Sequence, residues 1–242
     1  MGKILDLVYD KFSAKDFLIL GKKLCDIGWI IEAGVHDGAD TQVLLNTFTV
    51  KHYFGFEPDP SAFRIANSKL SGVLTNTVVI IPIALSDTKK QQKIIASTGF
   101  GLGISQISDD LSLEGYIVQS DLLDNFLGPM DDRGLLWLDV EGHTIKVLNG
   151  SKFSLRKFMI CKIEVITHTI DVNKKSDAFL IHKIMQQDFI LIRAPLQPSY
   201  FGDLVYLRKD LIPIKLWFTG KVVTVLFIFL HKFVYPILKI PK

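Results

Sequence analysis

Apolar residues fall into two rhythms along the chain. Ile4, Leu5, Val8 and Phe12, followed by Phe17, Leu18 and Leu24, recur at roughly helical spacing with Lys and Asp between them, which predicts one or two short helices before Gly28. From Trp29 onward the apolar residues gather into compact runs: Trp29 to Ala33, Tyr53 to Phe56, Val78 to Leu85, Leu135 to Val140, Phe158 to Ile166, Phe189 to Ile192 and Leu204 to Leu207. Runs of this length suit strands covered on both faces, as in a parallel sheet. Segments of helical length and polarity separate several of them: Asp40 to Phe48, Pro60 to Leu70, His143 to Asn149 and Ser176 to Gln187. Strand and helix alternate, so the expected fold is α/β and doubly wound, with helices on both faces of the sheet. The stretch from Lys89 to Tyr116 departs from this pattern. Its Gly99, Gly101, Gly103 and Gly115 predict a hairpin and a loop, which would be either a substrate-facing insertion or a plain connection.

The chain thus divides into an N-terminal helical segment (1–27), an α/β domain (28–210) and an apolar, basic tail (211–242). With 242 residues, of which 48% are hydrophobic and 22% charged, it can fill one large core and is not disordered. Cys25 and Cys161 are the only cysteines, which excludes a disulfide scaffold, and the acid-containing start Met1-Gly2-Lys3-Ile4-Leu5-Asp6 does not read as a signal peptide. A reducing, cytoplasmic location is expected. The net charge of +3 is unevenly spread: from Arg208 onward seven Lys and Arg face Asp210 alone, leaving 21 bases against 24 acids in the body. A body at −3 argues against a nucleic-acid partner, and a tail at +6 is suited to an anionic surface.

Candidate chemistry begins at Ile31-Glu32-Ala33-Gly34-Val35-His36-Asp37-Gly38, where an apolar strand gives way to a helix opening near Thr41. Glycines at such a turn let the backbone bend sharply and let a ligand approach. Glu57 ends the next apolar run, 25 residues after Glu32, near the spacing at which an acid accepts ribose hydroxyls. A dinucleotide is disfavoured because Glu32, Asp37 and Asp40 crowd the turn and would repel a pyrophosphate. S-adenosylmethionine has a ribose, no phosphate, and cationic sulfonium and ammonium groups that these acids attract.

Four elements in order, Glu32-x-Gly34-x-x-x-Gly38, Phe56-Glu57-Pro58-Asp59, Ala84-Leu85-Ser86-Asp87 and Leu138-Asp139-Val140-Glu141-Gly142-His143, resemble the FkbM family of S-adenosylmethionine-dependent methyltransferases. The resemblance implies a class I, seven-stranded Rossmann-like sheet with an antiparallel last hairpin, and O-methylation of a hydroxyl on a sugar, glycan or secondary metabolite. It also implies that Glu32, Gly34 and Gly38 form the loop at the methionine end, that Glu57 holds the ribose and that Ala84 lies near the adenine. With the flanking His36, Asp37, Thr41 and Pro58, these make up the expected cofactor-binding set. His36 and Thr144 depart from the family pattern, which usually has Asn at the first position and often an acid at the second.

Methyl transfer to oxygen needs an aligned acceptor and a group to remove its proton. Asp139, Glu141 and His143 at one expected strand end, with Glu164 and His168 at the next, supply the candidates. Glu141, His143 or His168 is expected as the base, with Asp139 facing the cofactor or orienting the acceptor. Asp139, Glu164 and His168 have donors suited to a hard cation, but no ligand spacing fixes one and no metal is assigned.

The tail is apolar from Leu216 to His231 apart from Lys221, and the positions enclosed by Lys221 and Lys232 are too few for a simple membrane span. Two expectations stand side by side. The tail lies in one leaflet with its lysines at anionic headgroups, at the inner face of a membrane, or it packs on the body or on a second subunit as a homo-oligomer. Beside the enzyme reading stand two others: a non-catalytic nucleoside-binding module and a membrane-associated interaction protein.

Overall fold

The structure, a computed structural model, describes residues 26–75, 77–96, 105–166, 177–194, 201–211 and 214–229. The expected N-terminal helices lie outside these residues. In chain order the main elements are β1 (Trp29–Ala33), α1 (Ala39–Thr47), β2 (His52–Phe56), α2 (Pro60–Lys69) and β3 (Val78–Ile81), then four strands set apart from these, β4 (Ala84–Leu85), β5 (Lys90–Ala96), β6 (Ser105–Ser108) and β7 (Tyr116–Asp121). There follow β8 (Gly134–Leu138), α3 (Thr144–Asn149), β9 (Phe158–Ile166), α4 (Asp177–Met185), β10 (Phe189–Arg193), β11 (Phe201–Arg208) and α5 (Ile214–Phe229).

Seven strands form one sheet in the order β10-β11-β9-β8-β1-β2-β3. The strands from β9 to β3 run parallel, whereas β11 is antiparallel to both β9 and β10. Strand alternation sorts the sheet into two faces. Ile30, Tyr53, Leu135, Ile160, Val205 and Leu207 share one core with Leu44 of α1. Ile31, Phe56, Leu136, Leu138, Ile163 and Leu204 share the other with Val147 of α3 and Ile181 of α4. Helices therefore cover both faces, and the strands are buried because neither face meets water.

The run from Val78 to Leu85 forms two strands in two sheets. Pro82 has no backbone donor to continue a ladder, and Ile83 N donates to the Ile81 carbonyl at 2.9 Å, closing a tight turn. Ala84 and Leu85 then pair with Ser120 and Asp121 of β7, in a second sheet ordered β4-β7-β5-β6. The hairpin expected between Lys89 and Tyr116 is β5 with β6, paired from Lys93 with Ser108 to Ala96 with Ser105.

The described part of the tail packs on the protein. Helix α5 lies along β10, the outermost strand of the main sheet, and shields its free edge. The approach is close: a Cβ on Gly220 would stand 2.8 Å from the Ile190 side chain and 3.0 Å from the Leu191 carbonyl oxygen. Val223 and Phe227 are buried, and the Phe227 ring meets His182 of α4 edge-on at 5.4 Å. No described helix is long and apolar enough to cross a membrane. Because Phe227 is part of the core, Phe227→Ala is expected to lower the unfolding free energy by about 3 to 5 kcal/mol. Urea denaturation of the full chain checks this, and an unchanged midpoint would mean that α5 is only loosely appended.

Candidate active site

The carboxyl ends of β1, β2, β8 and β9 meet at one edge of the sheet, and the closest approach there is made by backbone. Gly34, at φ +87°, leaves β1 directly beneath Asp139 at the end of β8, where an added Cβ would lie 1.7 Å from the Asp139 carbonyl oxygen. The space freed by this glycine is therefore filled by the protein itself rather than left for a ligand. Asp139 N donates to the Ala33 carbonyl at 2.9 Å and Gly34 N to the Phe56 carbonyl at 2.9 Å, so the ends of β8, β1 and β2 are tied across one another. Gly38, also left-handed at φ +77°, caps α1 and sits against Leu70.

Glu32 and Glu57 hold this corner from within. Glu32 is fully buried; its Oε2 accepts from Tyr53 OH at 2.6 Å and Thr41 Oγ1 at 2.8 Å, while Oε1 has no partner. Burial pushes its carboxyl up to about 8, against the two hydrogen bonds that favour the charged form. Glu57 is nearly buried and accepts two backbone N–H groups, His36 N on Oε2 at 2.7 Å and Asp59 N on Oε1 at 2.8 Å. Those bonds oppose the burial that raises its pKa. His36 adopts φ +50° to present that N–H, and its side chain is exposed. Asp37 is paired with Lys69 at 2.8 Å and accepts from Ala39 N at 3.1 Å. Pro58 is half-buried in the turn before α2, which Asp59 caps by accepting from Ser61 N and Ala62 N. Ala84 is buried in the second sheet.

Three acids converge beside this corner. Single carboxylate oxygens of Asp139, Glu141 and Glu164 all lie within 4.8 Å of one another. Glu164 is pushed up to about 9, first by burial, then by the Asp139 charge and the hydrogen bond between them. Glu141 is half-buried, with Oε2 unpartnered and a pKa raised by burial and then by Asp139. Its backbone sits at φ +46° and is followed by Gly142 at φ +84°, so strand alternation ends after Asp139 and a left-handed turn brings Glu141 to the cluster. His143 is turned elsewhere. It is buried, its Nε2 lies 3.1 Å from Ser86 Oγ, and burial lowers its pKa to about 4, so its ring is neutral and ties α3 to the loop after β4. His168 lies outside the described residues.

Two residues of the site escaped sequence reasoning. Lys162 on β9 is buried, stands 3.0 Å from Asp203 and 3.7 Å from Asp139, and lies 4.4 Å from the centre of the Trp137 ring. The signal was a lysine inside the apolar run from Phe158 to Ile166, on the same strand face as Ile160 and Glu164. Burial of its ammonium is outweighed by the charges of Asp203 and Asp139, which hold its pKa up. Tyr53, read only as part of an apolar strand, is the donor that fixes Glu32.

Donor chemistry allows two occupants. The oxygens of Asp139, Glu141 and Glu164 are the type a hard divalent cation takes. The surplus of carboxylates over Lys162 and the lone pairs that Glu57 retains fit the cations and ribose of S-adenosylmethionine.

The raised Glu32 carboxyl has a pH signature. The folded chain keeps this proton to about pH 8 whereas a free carboxyl releases it near 4.5, so the group erodes stability as pH rises between those values. Glu32→Gln removes the titration. Its melting temperature relative to the native chain is expected to climb from pH 5 to pH 8, as read by thermal unfolding in matched buffers, and parallel curves would refute the buried neutral acid.

Comparison with known proteins identifies the family and the fold. Residues 32–191 match the profile of the Methyltransferase FkbM domain. No curated protein matches the chain. Among solved structures, the methyltransferase FkbM of Methylobacillus flagellatus KT superposes with a TM-score of 0.51 at 12% identity, covering 76% of this chain and 44% of that one. This chain thus spans less than half of that protein's length. A candidate rRNA methylase of Clostridium thermocellum gives 0.53 at 12% identity, over 83% of this chain and 98% of its own. A candidate methyltransferase of Streptococcus mutans, solved with S-adenosylhomocysteine bound, gives 0.50 at 15% identity over 83% and 99%. At these identities the superpositions speak for the fold, which is that of class I methyltransferases. The profile match covers well over half of the sequence, and the chain belongs to the FkbM family of S-adenosylmethionine-dependent methyltransferases.

Proposed function

We propose that the chain transfers a methyl group from S-adenosylmethionine to a hydroxyl of a sugar, glycan or secondary metabolite. The observation that carries this reading is the convergence of Asp139, Glu141 and Glu164 beside the turn that joins β1 to α1. When bound, S-adenosylmethionine supplies a methyl group already activated by a sulfonium. The chain must hold it, align the acceptor and take up a proton.

Each carboxylate oxygen of Glu57 accepts one backbone N–H and retains a second lone pair for a ribose hydroxyl. The Gly34 to Gly38 loop, with His36 and Asp37 on it, takes the methionine end, Glu32 and Thr41 support that loop from within, and Pro58 and Ala84 border the nucleoside. The acceptor hydroxyl would give up its proton to Glu141 on methylation. Glu141 suits the task because it is only half-buried, has an unpartnered oxygen, and has a pKa raised towards the working range of a base. Asp139, bonded to Glu164 and flanked by Lys162, orients the acceptor. Lys162 already provides a fixed cation next to Asp139, so the reading needs no metal.

Four outcomes are expected. Calorimetric titration of the full chain with S-adenosylhomocysteine should give a single site, weakened about tenfold or more in Glu57→Ala, and absence of binding to the folded native chain would overturn the proposal. Against a panel of hydroxylated acceptors, Glu141→Gln should lower kcat by about 10²- to 10⁴-fold while leaving that binding intact. Native kcat/KM should rise with pH as Glu141 ionises, and a chelator should leave the rate unchanged. Binding without transfer to any acceptor would favour a non-catalytic nucleoside-binding module.

A further inference from the structure

Helix α5 is apolar nearly all the way round: of its 16 residues, Ile214–Phe229, only two are lysines and none is acidic. A helix of this kind belongs in a core or in lipid. One side is in the core already, with Gly220, Val223 and Phe227 buried against β10 and α4. The opposite side is not. Phe218, Val222 and Val225 follow one another at helical spacing and are 61%, 52% and 65% exposed. Three large apolar side chains in one stripe on the outside of an edge helix form a docking surface.

We infer that this stripe rests on an anionic membrane surface, with α5 lying in the plane of the interface and the α/β body held above it. The geometry favours lying over spanning. At about 1.5 Å per residue the helix is roughly 24 Å long, short of the ~30 Å hydrocarbon core, and crossing would strip the cover from β10. Charge selects the occupant. Residues from Arg208 to the last residue carry seven Lys and Arg against one acid, and Lys215, Lys221, Lys232, Lys239 and Lys242 recur between the apolar residues. Anionic headgroups attract that pattern, whereas the same tail on a second copy of this chain would bring like charge against like. The body, at −3, is repelled by the same surface, so tail and body charges together set one orientation.

The test is flotation of the full chain with vesicles of phosphatidylcholine alone and with added phosphatidylglycerol, at low and high salt. The native chain is expected to float with the phosphatidylglycerol vesicles and to lose most of that binding in high salt or without the anionic lipid. Val222→Asp with Val225→Asp should weaken it about tenfold or more, and Val222→Ser with Val225→Ser should weaken it in the same direction without added charge. Both positions are exposed, so thermal unfolding and S-adenosylhomocysteine binding should match the native chain. No flotation of the native chain, or equal flotation of both double variants, overturns the inference. So does sedimentation equilibrium showing a native dimer that the variants dissolve, which would assign the stripe to a second copy. Loss of S-adenosylhomocysteine binding with flotation intact would count against the enzyme reading alone.

Discussion

The contact of Gly34 with the Asp139 carbonyl is the constraint on which the site depends. Two parallel strands end side by side, and one must turn under the other at a distance that no side chain permits. That crossing brings the acid of β2, the acids of β8 and β9 and the opening turn of α1 within one corner. Glu32 and Glu57 then brace it from inside, one through Tyr53 and Thr41, the other through the N–H groups of His36 and Asp59. In such a corner the acids differ by environment more than by kind. Glu32 is held neutral chiefly by burial, Glu164 by burial with Asp139 beside it, and Glu141 stays partly exposed. Lys162 keeps the collection from being a bare concentration of negative charge.

Most of the main sheet was legible because its strands are buried on both faces and therefore read as unbroken apolar runs. Trp29–Ala33 and Phe158–Ile166 form strands with the bounds their apolar runs suggested. Where burial is one-sided the signal faded. Tyr116–Asp121 mixes exposed and buried residues, and Lys90–Ala96 opens with polar residues, so neither stood out as a strand. The run ending at Leu85 looked like one element because composition does not register the change of sheet at Pro82.

The site was legible in its acids and not in their company. Residue type and order located Glu32, Glu57, Asp139 and Glu141, but burial decides what each does, and burial comes from the partner elements. His143 looked like a base by position and is turned to Ser86 instead. The glycines of the first loop, read as room for a ligand, are needed for contacts within the chain, with the Asp139 backbone at Gly34 and with Leu70 at Gly38.

Among the described residues the second sheet pairs only within itself, the chain leaving the main sheet after β3 and rejoining it at β8. The described strands between Ala84 and Asp121 are in this sense a graft onto a frame whose strand order closes without them. Replacing the outer hairpin would therefore leave untouched both the frame of the main sheet and the corner where its strand ends cross.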